Sequence, residues 1–344
     1  MPARVQPAMN YTAPWWLPGG NLQTIWAALR SRRFLGPQPV FRRERWTTPD
    51  EDFVDVDWLV DGASTPVAAN VSAQQASSQG RPLLVVFHGL EGSSASHYAE
   101  ALADAARERG WACAIPHFRG CSGELNLAPR AYHSGDFVEI DWILRRFAEQ
   151  HGGPVVAVGI SLGGNALMRW AGEIGAEARQ VVAAIASVCS PLDLTASGWA
   201  IGRGFNRQVY TRMFLKTMVP KALLKLEQHP GLFDRERLLA ARDLYTFDDV
   251  FTAPVHGFKN ADDYWARASA KPHLHRIAVP ALALNALNDP FVPAASLPQA
   301  ADAGSHVTLW QPAQGGHVGF PSPPFPGHVR AMPNAVTGFL AAHL

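Results

Sequence analysis

The stretch Pro154-Val-Val-Ala-Val-Gly-Ile-Ser161-Leu-Gly-Gly-Asn165 joins a short apolar run to a glycine-rich turn. Residues 155–158 are typical of a fully buried strand, and residues 166–171 follow at helical spacing. A strand, a tight turn and a helix, with Gly-x-Ser-x-Gly across the turn, form the pattern of a nucleophile elbow. The turn is sharp, so the residues two before and two after the serine must be small. The stretch therefore predicts a Ser161 hydroxyl exposed at the tip of the turn.

The motif alone is weak evidence, because glycine makes up 29 of the 344 residues and Gly-x-Ser-x-Gly can arise by chance. The alternative is a serine in an ordinary glycine-rich turn, where it caps the following helix. The choice between the two depends on the residues elsewhere in the chain.

Strand-like and helical patterns alternate on both sides of this stretch, and two β-like segments precede them, the second alternating as a half-exposed antiparallel strand does. This alternation predicts an α/β fold with a mostly parallel central sheet and helices on both faces. The strand patterns cover 41–47, 53–59, 83–87, 111–115, 155–158, 181–188, 281–285 and 307–310, and helical patterns include 98–109, 136–150, 166–174 and 332–344.

The alternation divides the chain into three regions. Residues 1–40 form an aromatic-rich extension, residues 41–191 and 271–344 form the α/β core, and residues 192–270 are a helical insertion. We expect the insertion to be a cap over the carboxyl edge of the sheet, where open α/β sheets bind ligands. Its longest helix is predicted over 207–226, interrupted near Pro220.

The extension carries a tryptophan pair, Trp15 and Trp16, before a short predicted helix for which Asn21 is the expected N-cap. These aromatic residues are expected to pack on the body of the protein, where they line or close a pocket. The alternative is a weak contact with a lipid surface. A further polar stretch, residues 72–80, is expected to be a surface loop.

A serine nucleophile needs a base to take its proton and a carboxylate to orient that base. Elbow-type enzymes supply them in the order serine, acid, histidine, from loops after successive strands. Asp289 follows the strand at 281–285, and His317 follows the last strand between glycines. An Asp-Pro turn of purely structural role is the alternative for Asp289. The order and spacing predict Ser161, Asp289 and His317 as the catalytic residues.

The oxyanion of an acyl-transfer reaction needs two N–H donors already in place. The backbone N–H of Leu162, directly after the serine, is one candidate. The other is the N–H of Leu90, in the loop after the strand at 83–87. His88, in the same loop, is interpreted as a structural hydrogen-bonding residue.

The bulk composition excludes several classes of function. The net charge of +1 gives no reason to expect a nucleic-acid partner. Three scattered cysteines predict neither a disulfide framework nor a zinc site, and the chain has no dinucleotide or P-loop motif, so no cofactor or metal is expected. The sequence shows neither a signal-peptide pattern nor an apolar run long enough to span a membrane, so a soluble cytoplasmic protein is expected.

The chain resembles the YheT-like α/β-hydrolases, a family with lipid-acting eukaryotic relatives. The resemblance implies an α/β-hydrolase fold, a Ser161–Asp289–His317 triad and hydrolysis of carboxylic esters with medium-chain or lipid-derived acyl groups, hence a role in lipid metabolism. The family's opening usually reads Asn-Pro-His-Leu-Gln-Thr, whereas this chain has Gly-Gly-Asn-Leu-Gln-Thr. The motifs that carry the resemblance are Asn21-Leu-Gln-Thr24, His88-Gly-Leu-Glu-Gly-Ser-Ser94, Phe118-Arg-Gly-Cys-Ser-Gly123, Tyr132-His-Ser-Gly-Asp136, Gly159-Ile-Ser-Leu-Gly-Gly-Asn165, Asn288-Asp-Pro-Phe291 and Gly316-His317.

These observations favour a serine esterase acting through an acyl-enzyme on a small-molecule ester of short to medium acyl length. An acyltransferase, in which an alcohol intercepts the acyl-enzyme, uses the same residues and stays open. The third reading is a non-catalytic binding protein on a hydrolase scaffold.

Overall fold

The computed structural model describes residues 10–60 and 80–344, so all but the last residue of the stretch at 72–80 lies outside the described part. The strands are β1 (Phe41–Thr47), β2 (Phe53–Leu59), β3 (Leu83–Phe87), β4 (Ala112–Pro116), β5 (Val155–Ile160), β6 (Ala184–Val188), β7 (Ala281–Leu284) and β8 (Val307–Trp310). The helices are α1 (Gly20–Leu29), α2 (His97–Glu108), α3 (Phe137–His151), α4 (Leu162–Ile174), α5 (Leu194–Ile201), α6 (Gly204–Asn206), α7 (Arg212–Gln228), α8 (Arg235–Ala240), α9 (Leu244–Phe247), α10 (Ala253–Val255), α11 (Ala261–Ala268) and α12 (Ala331–Ala341).

The eight strands form one sheet in the order β1-β2-β4-β3-β5-β6-β7-β8. β1 pairs with β2, and β2 with β4, in antiparallel register, whereas the six strands from β4 to β8 run parallel. The predicted α/β-hydrolase class, with its mostly parallel sheet, is confirmed. Because β5 lies in the middle of the parallel part, the loop that follows it opens at the centre of the carboxyl edge.

Each face of the sheet buries its own apolar layer. One face packs against α3 and α4, with Phe147 and Trp170 among its largest buried side chains. The other face packs against α2 and α12, through residues such as Leu102 and Leu340. The parallel strands β3, β5, β6 and β7 are buried along their whole length, which explains why they read as continuous apolar runs in the sequence.

Helix α1 corrects one detail of the sequence interpretation. The helix begins at Gly20, and its N-cap is Gly19 with φ 77°, not Asn21. The Asn21 side chain instead accepts a hydrogen bond from the hydroxyl of Tyr210 at 2.9 Å. A polar residue near a helix start is thus used here for a tertiary contact, which a capping pattern does not reveal.

The expected packing of the aromatic extension is found for Trp16 and Trp26, which meet edge-on with ring centroids 5.6 Å apart. Both also contact Phe325, and the indole of Trp26 donates to the Pro326 carbonyl. Trp15 departs from the expectation, since its side chain is 91% exposed.

The segment between β6 and β7 contains helices and no strand. The division of the chain into extension, core and cap stays a prediction.

The helix α6, a π-helical turn at Arg207–Thr211 and α7 follow one another directly. The expected interruption near Pro220 is wrong, because α7 runs through it. Pro220 is exposed, so water can bond the carbonyl that its ring leaves without an N–H partner. Over the described residues, no helix is both long and apolar enough to cross a bilayer.

Candidate active site

Ser161 occupies the predicted sharp turn between β5 and α4, with φ 52° and ψ −116°. This backbone conformation is rare for a residue with a side chain and is typical of strained functional turns. A Cβ at Gly159 would lie 2.4 Å from the Cα of Gly164, and one at Gly163 would lie 2.5 Å from the His88 carbonyl oxygen. The glycines are therefore required by close backbone approach, as the sequence predicts.

The structure brings the three predicted side chains into one chain of hydrogen bonds. His317 Nε2 lies 3.0 Å from Ser161 Oγ, and His317 Nδ1 lies 2.9 Å and 3.1 Å from the two carboxylate oxygens of Asp289. A carboxylate only accepts hydrogen bonds, so Nδ1 carries the proton and Nε2 is the acceptor for the serine hydroxyl. This is the arrangement that a serine nucleophile, its base and its orienting acid need.

The Asp289 carboxylate is buried, and the loop that carries it fixes its position. Its Oδ1 accepts hydrogen bonds from the backbone N–H of Phe291 at 2.8 Å and of Val292 at 3.3 Å. The Phe291 ring lies 4.1 Å from the His317 ring, centroid to centroid. The turn at Asp289-Pro290 thus has a structural role as well, because it orients the carboxylate.

Helix α1 holds the loops that carry the acid and the histidine, a role that the sequence did not predict. The buried Gln23 carboxamide accepts from Asn288 Nδ2 at 2.9 Å and from the N–H of Gly315 at 2.8 Å. Thr24 Oγ1 accepts the N–H of His317 at 2.8 Å. The Asn-Leu-Gln-Thr motif is the one sequence feature that could have indicated this role. Only the fold shows that the motif contacts the loops of Asp289 and His317.

Cys189 lies behind the acid and the histidine, directly after β6. Its thiol lies 3.6 Å from the Gly316 carbonyl oxygen, and its sulfur accepts the N–H of Val318 at 3.2 Å. Burial, with the nearby Asp289 carboxylate, raises the pKa of this thiol well above its usual value. In the described part of the chain, only Cys189, Asp289 and His317 bring three potential metal ligands together. All three are engaged with one another or with the His317 loop.

The two predicted oxyanion donors flank the serine. Leu162 is the first residue of α4, so its N–H has no acceptor within that helix. Leu90 is partly buried in the loop after β3, and both leucines line the cavity that contains Ser161.

The interpretation of His88 as a structural residue agrees with its contacts. Its Nε2 accepts the N–H of Phe118 at 3.1 Å, so the proton lies on Nδ1, which donates to the Gly89 carbonyl at 2.8 Å. Burial lowers the pKa of His88 to about 3, which keeps the ring neutral.

The residue after Leu90 connects the loop that follows β3 to the helical insertion. Glu91 has φ 56°, its N–H donates to the Tyr132 hydroxyl at 2.9 Å, and its carboxylate lies 2.9 Å from Lys221 Nζ on α7. Tyr132 in turn donates to Glu91 Oε1 at 2.9 Å. Glu91, a strained residue next to the predicted oxyanion donor Leu90, is thus held from both the core and α7.

Two cavities meet at Leu90 and Leu162. The larger, of about 120 Å³, is mostly apolar and contains Ser161 and His317. Its other walls include Leu194, Ile201, Phe214, Met218, Trp265 and Phe291. The smaller, of about 70 Å³, extends toward polar side chains that include Glu91, Tyr132, His133 and Lys221. On α7, Phe214 and Met218 line the cavity that contains Ser161, whereas Met213 and Leu224 are exposed.

A half-buried residue with a carboxyl group, Asp248, borders both cavities. It accepts hydrogen bonds from Thr252 Oγ1 at 2.6 Å and from Trp265 Nε1 at 2.8 Å. Burial raises its pKa to about 6, although these hydrogen bonds act in the opposite direction. The carboxyl group therefore favours the neutral form more than an exposed aspartate does.

A second set of serine, histidine and aspartate lies at the carboxyl side of β4 and joins the antiparallel strands to the loop that follows β3. Ser94 Oγ donates to Asp57 Oδ2 at 2.6 Å, and His117 Nε2 lies 2.8 Å from the same oxygen. Arg43 binds both Asp57 oxygens, at 2.8 Å and 2.9 Å. Burial raises the pKa of Asp57, but the hydrogen bonds from Arg43, His117 and Ser94 outweigh it and hold the pKa well below its usual range.

Comparisons with known proteins identify the family of the chain. Residues 82–324 match the sequence profile of the alpha/beta hydrolase fold family. The chain is 40% identical to "Putative esterase YheT" of Escherichia coli over 80% of its own length and 78% of that protein. It is 28% identical to "Phospholipase ABHD3" of Mus musculus over 84% and 69% of the two chains. An esterase of Pyrococcus furiosus, Pf2001, shares the fold at TM-score 0.53 and 12% identity, over 91% of this chain and 98% of that one.

Proposed function

The chain belongs to the alpha/beta hydrolase fold family and is an enzyme of the carboxylic ester hydrolase class, and from that premise we propose that it is a serine esterase with Ser161 as its nucleophile. The observation that carries the proposal is the line of hydrogen bonds from Ser161 through His317 to Asp289, with Ser161 and His317 facing an apolar cavity. In this proposal the acyl group of the ester occupies that cavity.

Catalysis begins when His317 Nε2 takes the hydroxyl proton of Ser161 as its oxygen attacks the ester carbonyl. Asp289 holds Nδ1–H and stabilises the imidazolium that forms. The backbone N–H groups of Leu90 and Leu162 donate to the oxyanion. His317 then protonates the leaving alcohol, and the acyl group stays on Ser161. In the second half, His317 activates water, which hydrolyses the acyl-enzyme and restores the serine.

The cavity favours an acyl group of short or medium length. Its volume of about 120 Å³ is smaller than the ~300–1,000 Å³ of clefts that take drug-sized ligands. Phe214, Trp265 and Phe291 form aromatic walls that favour an apolar chain. The phospholipase and esterase names of the relatives support a lipid-derived ester as the natural substrate.

A panel of p-nitrophenyl esters with graded acyl length tests this proposal. We expect kcat/KM to rise from acetate to a short- or medium-chain optimum and to fall for long chains. An enlarged cavity, as in Phe214→Ala, should move the optimum to longer chains. A flat profile that does not respond to Phe214→Ala would argue against the cavity as the acyl site.

The same panel separates hydrolysis from acyl transfer. With an added alcohol, an esterase sends most of the acyl group to water, whereas an acyltransferase gives mainly the new ester. We expect free acid to dominate. A new ester as the main product at low alcohol concentration would assign the chain to the acyltransferases.

A further inference from the structure

The outer surface of the helical insertion has an unusual charge distribution. Residues 199–226 contain six lysines and arginines and no acidic residue, in a chain whose net charge is +1. Lys221 pairs with Glu91, and the buried Lys225 donates to the backbone carbonyls of Asn126 and Ala128. The other four basic residues lie on the outer surface, where their charges face solvent: Arg203, Arg207, Arg212 and Lys216.

Three of these four side chains gather around one open groove. Arg207, Arg212 and Lys216 line it together with Arg242, and its volume is about 640 Å³. No acidic side chain lines the groove, and its other walls are apolar or neutral. Within residues 10–60 and 80–344, none of the four basic side chains that line the groove has a carboxylate within salt-bridge distance. The groove therefore concentrates positive charge that no carboxylate within salt-bridge distance neutralises.

Large apolar side chains stand exposed on the same helical stretch. Phe205, Val209 and Met213 follow one another at intervals of four residues and are 54%, 37% and 54% exposed. Since residues four apart share one side of a helix, they form an apolar stripe beside the basic groove. Exposed apolar and basic side chains together on a helix are characteristic of segments that lie on a membrane interface.

The same stretch also forms the proposed acyl cavity. Phe214 and Met218 line the cavity at Ser161, whereas their neighbours Leu215 and Lys216 line the outer groove. The helix that separates the cavity from solvent thus presents its basic groove and apolar stripe outward.

We propose that this face, made of the groove (Arg207, Arg212, Lys216, Arg242) and the stripe (Phe205, Val209, Met213), docks the protein on an anionic lipid surface. The arginines and the lysine contact lipid phosphates, and the stripe enters the boundary between headgroups and acyl chains. The occupant is a bilayer rather than a nucleic acid, because a polyanion in water gives no reason for three exposed apolar side chains beside the cations. The inference rests on the proposed function in one respect, since docking would bring ester-containing lipids to Ser161.

Vesicle co-sedimentation tests the docking without catalysis, in a Ser161→Ala background. We expect binding to vesicles of phosphatidylcholine mixed with phosphatidylglycerol, and much weaker binding to phosphatidylcholine alone. Each basic residue near an anionic membrane is worth about a five-fold change in partitioning. The triple variant Arg207→Glu/Arg212→Glu/Lys216→Glu should therefore lose more than about 100-fold. Equal binding of the triple variant, or no binding of the parent protein, would overturn the proposal.

Two control variants test whether vesicle binding depends on this face rather than on the net charge or on the aromatic extension. Arg30→Glu/Arg32→Glu/Arg235→Glu makes the same change in net charge at exposed sites outside the groove, and Trp15→Ser removes the exposed tryptophan. Both should retain vesicle binding. Phe205→Ser/Met213→Ser should weaken it about ten-fold or more, because about 0.8 kcal/mol is lost for each buried CH₂. Unchanged vesicle binding of this variant, with equally tight binding of soluble heparin, would assign the groove to polyanions instead.

Activity on two forms of substrate completes the test. The triple variant should keep the parent kcat/KM on a soluble p-nitrophenyl ester, since none of the three residues touches the proposed site. Its turnover of an ester embedded in anionic vesicles should fall with the loss of binding. If the parent protein binds vesicles but hydrolyses neither substrate, the proposed function fails while the docking surface stands.

Discussion

Two clusters of serine, histidine and aspartate in the described part of the chain differ in the order of their hydrogen bonds. In the first, the histidine stands between the other two: Ser161 bonds His317, and His317 bonds Asp289. In the second, the aspartate stands in the middle, because Ser94 and His117 both bond Asp57 Oδ2. The first borders an apolar cavity, whereas in the second the aspartate, the histidine and the serine are buried.

The order of the hydrogen bonds decides what each cluster can do. A histidine that accepts the serine proton can activate the serine. Ser94 instead donates to a carboxylate whose pKa is held well below its usual range, so its only proton acceptor is a very weak base. Asp57 also binds Arg43 with both oxygens, so its charge is already compensated. The second cluster is therefore suited to fixing the strands and the loop that follows β3. Residue types alone do not identify a nucleophile.

The largest expected difference between the clusters is in catalysis. Ser161→Ala should lower kcat on a p-nitrophenyl ester by about 10⁴–10⁶-fold, with little change in the free energy of unfolding. Ser94→Ala should keep kcat within a few-fold and lower the free energy of unfolding by about 1–2 kcal/mol, because a buried hydrogen bond to a charged group is lost. Steady-state kinetics and urea denaturation measure both. A comparable loss of kcat in both variants would contradict the assignment of separate roles.

Substitutions of Asp289 and Asp57 should differ in the same way, the first in its effect on kcat and the second in its effect on stability. Asp289→Asn should lower kcat by about 10⁴-fold, because the amide no longer selects the productive tautomer of His317. Asp57→Asn should instead lower the free energy of unfolding by about 2 kcal/mol, because Arg43 and His117 lose hydrogen bonds to a charged acceptor. Asp57→Asn should retain most of its kcat at a temperature where it is folded. If it is folded by circular dichroism but inactive, the second cluster contributes to catalysis.

A smaller effect is expected at Gln23, which holds the first cluster from α1. Gln23→Leu removes the acceptor for Asn288 and Gly315, so the His317 loop can shift. A misplacement of about 1 Å can cost 10²-fold in rate, so we expect kcat to fall by about 10–100-fold. Gln38→Leu, the same substitution at an exposed glutamine bonded to Glu100, is a control that should leave kcat unchanged. Equal kinetics for the two variants would exclude a positioning role for α1.

The smallest effect expected is the pH dependence of stability beside the second cluster. His88 has a pKa of about 3 when folded and 6.5 as its ordinary value, so the unfolded chain takes up its proton first. His88 therefore contributes stability above pH 6.5 that is lost as pH falls toward 3, by up to about 1.4 kcal/mol per pH unit. Urea denaturation between pH 7 and 5 should show a shallower fall for His88→Gln than for the parent. Parallel curves would contradict the buried neutral state of His88.

Much of the fold was predictable because its signals are local. Buried parallel strands read as apolar runs, and the glycines at 159 and 163 predict a tight turn. The fold class and the family resemblance are confirmed by the comparisons. The positions of Asp289 and His317 after β7 and β8 also followed from chain order, and their catalytic roles stay a proposal.

Other features depend on contacts between distant segments. Gln23 meets Gly315 across 292 residues, and Ser94 meets Asp57 across 37, so neither contact leaves a pattern in its own stretch of sequence. The predicted cap at Asn21 was wrong because the side chain bonds Tyr210, 189 residues away. Pro220 was misread because an exposed proline is tolerated within α7.

Covalent labelling by a fluorophosphonate probe tests the central claim most directly, because the probe reacts with a serine only where a base and an oxyanion site activate it. We predict that peptide mass spectrometry will find one adduct, on Ser161, in the parent protein and in Ser94→Ala, and no adduct in Ser161→Ala. An unlabelled parent protein, or an adduct of equal yield in Ser161→Ala, would contradict the assignment of Ser161 as the nucleophile.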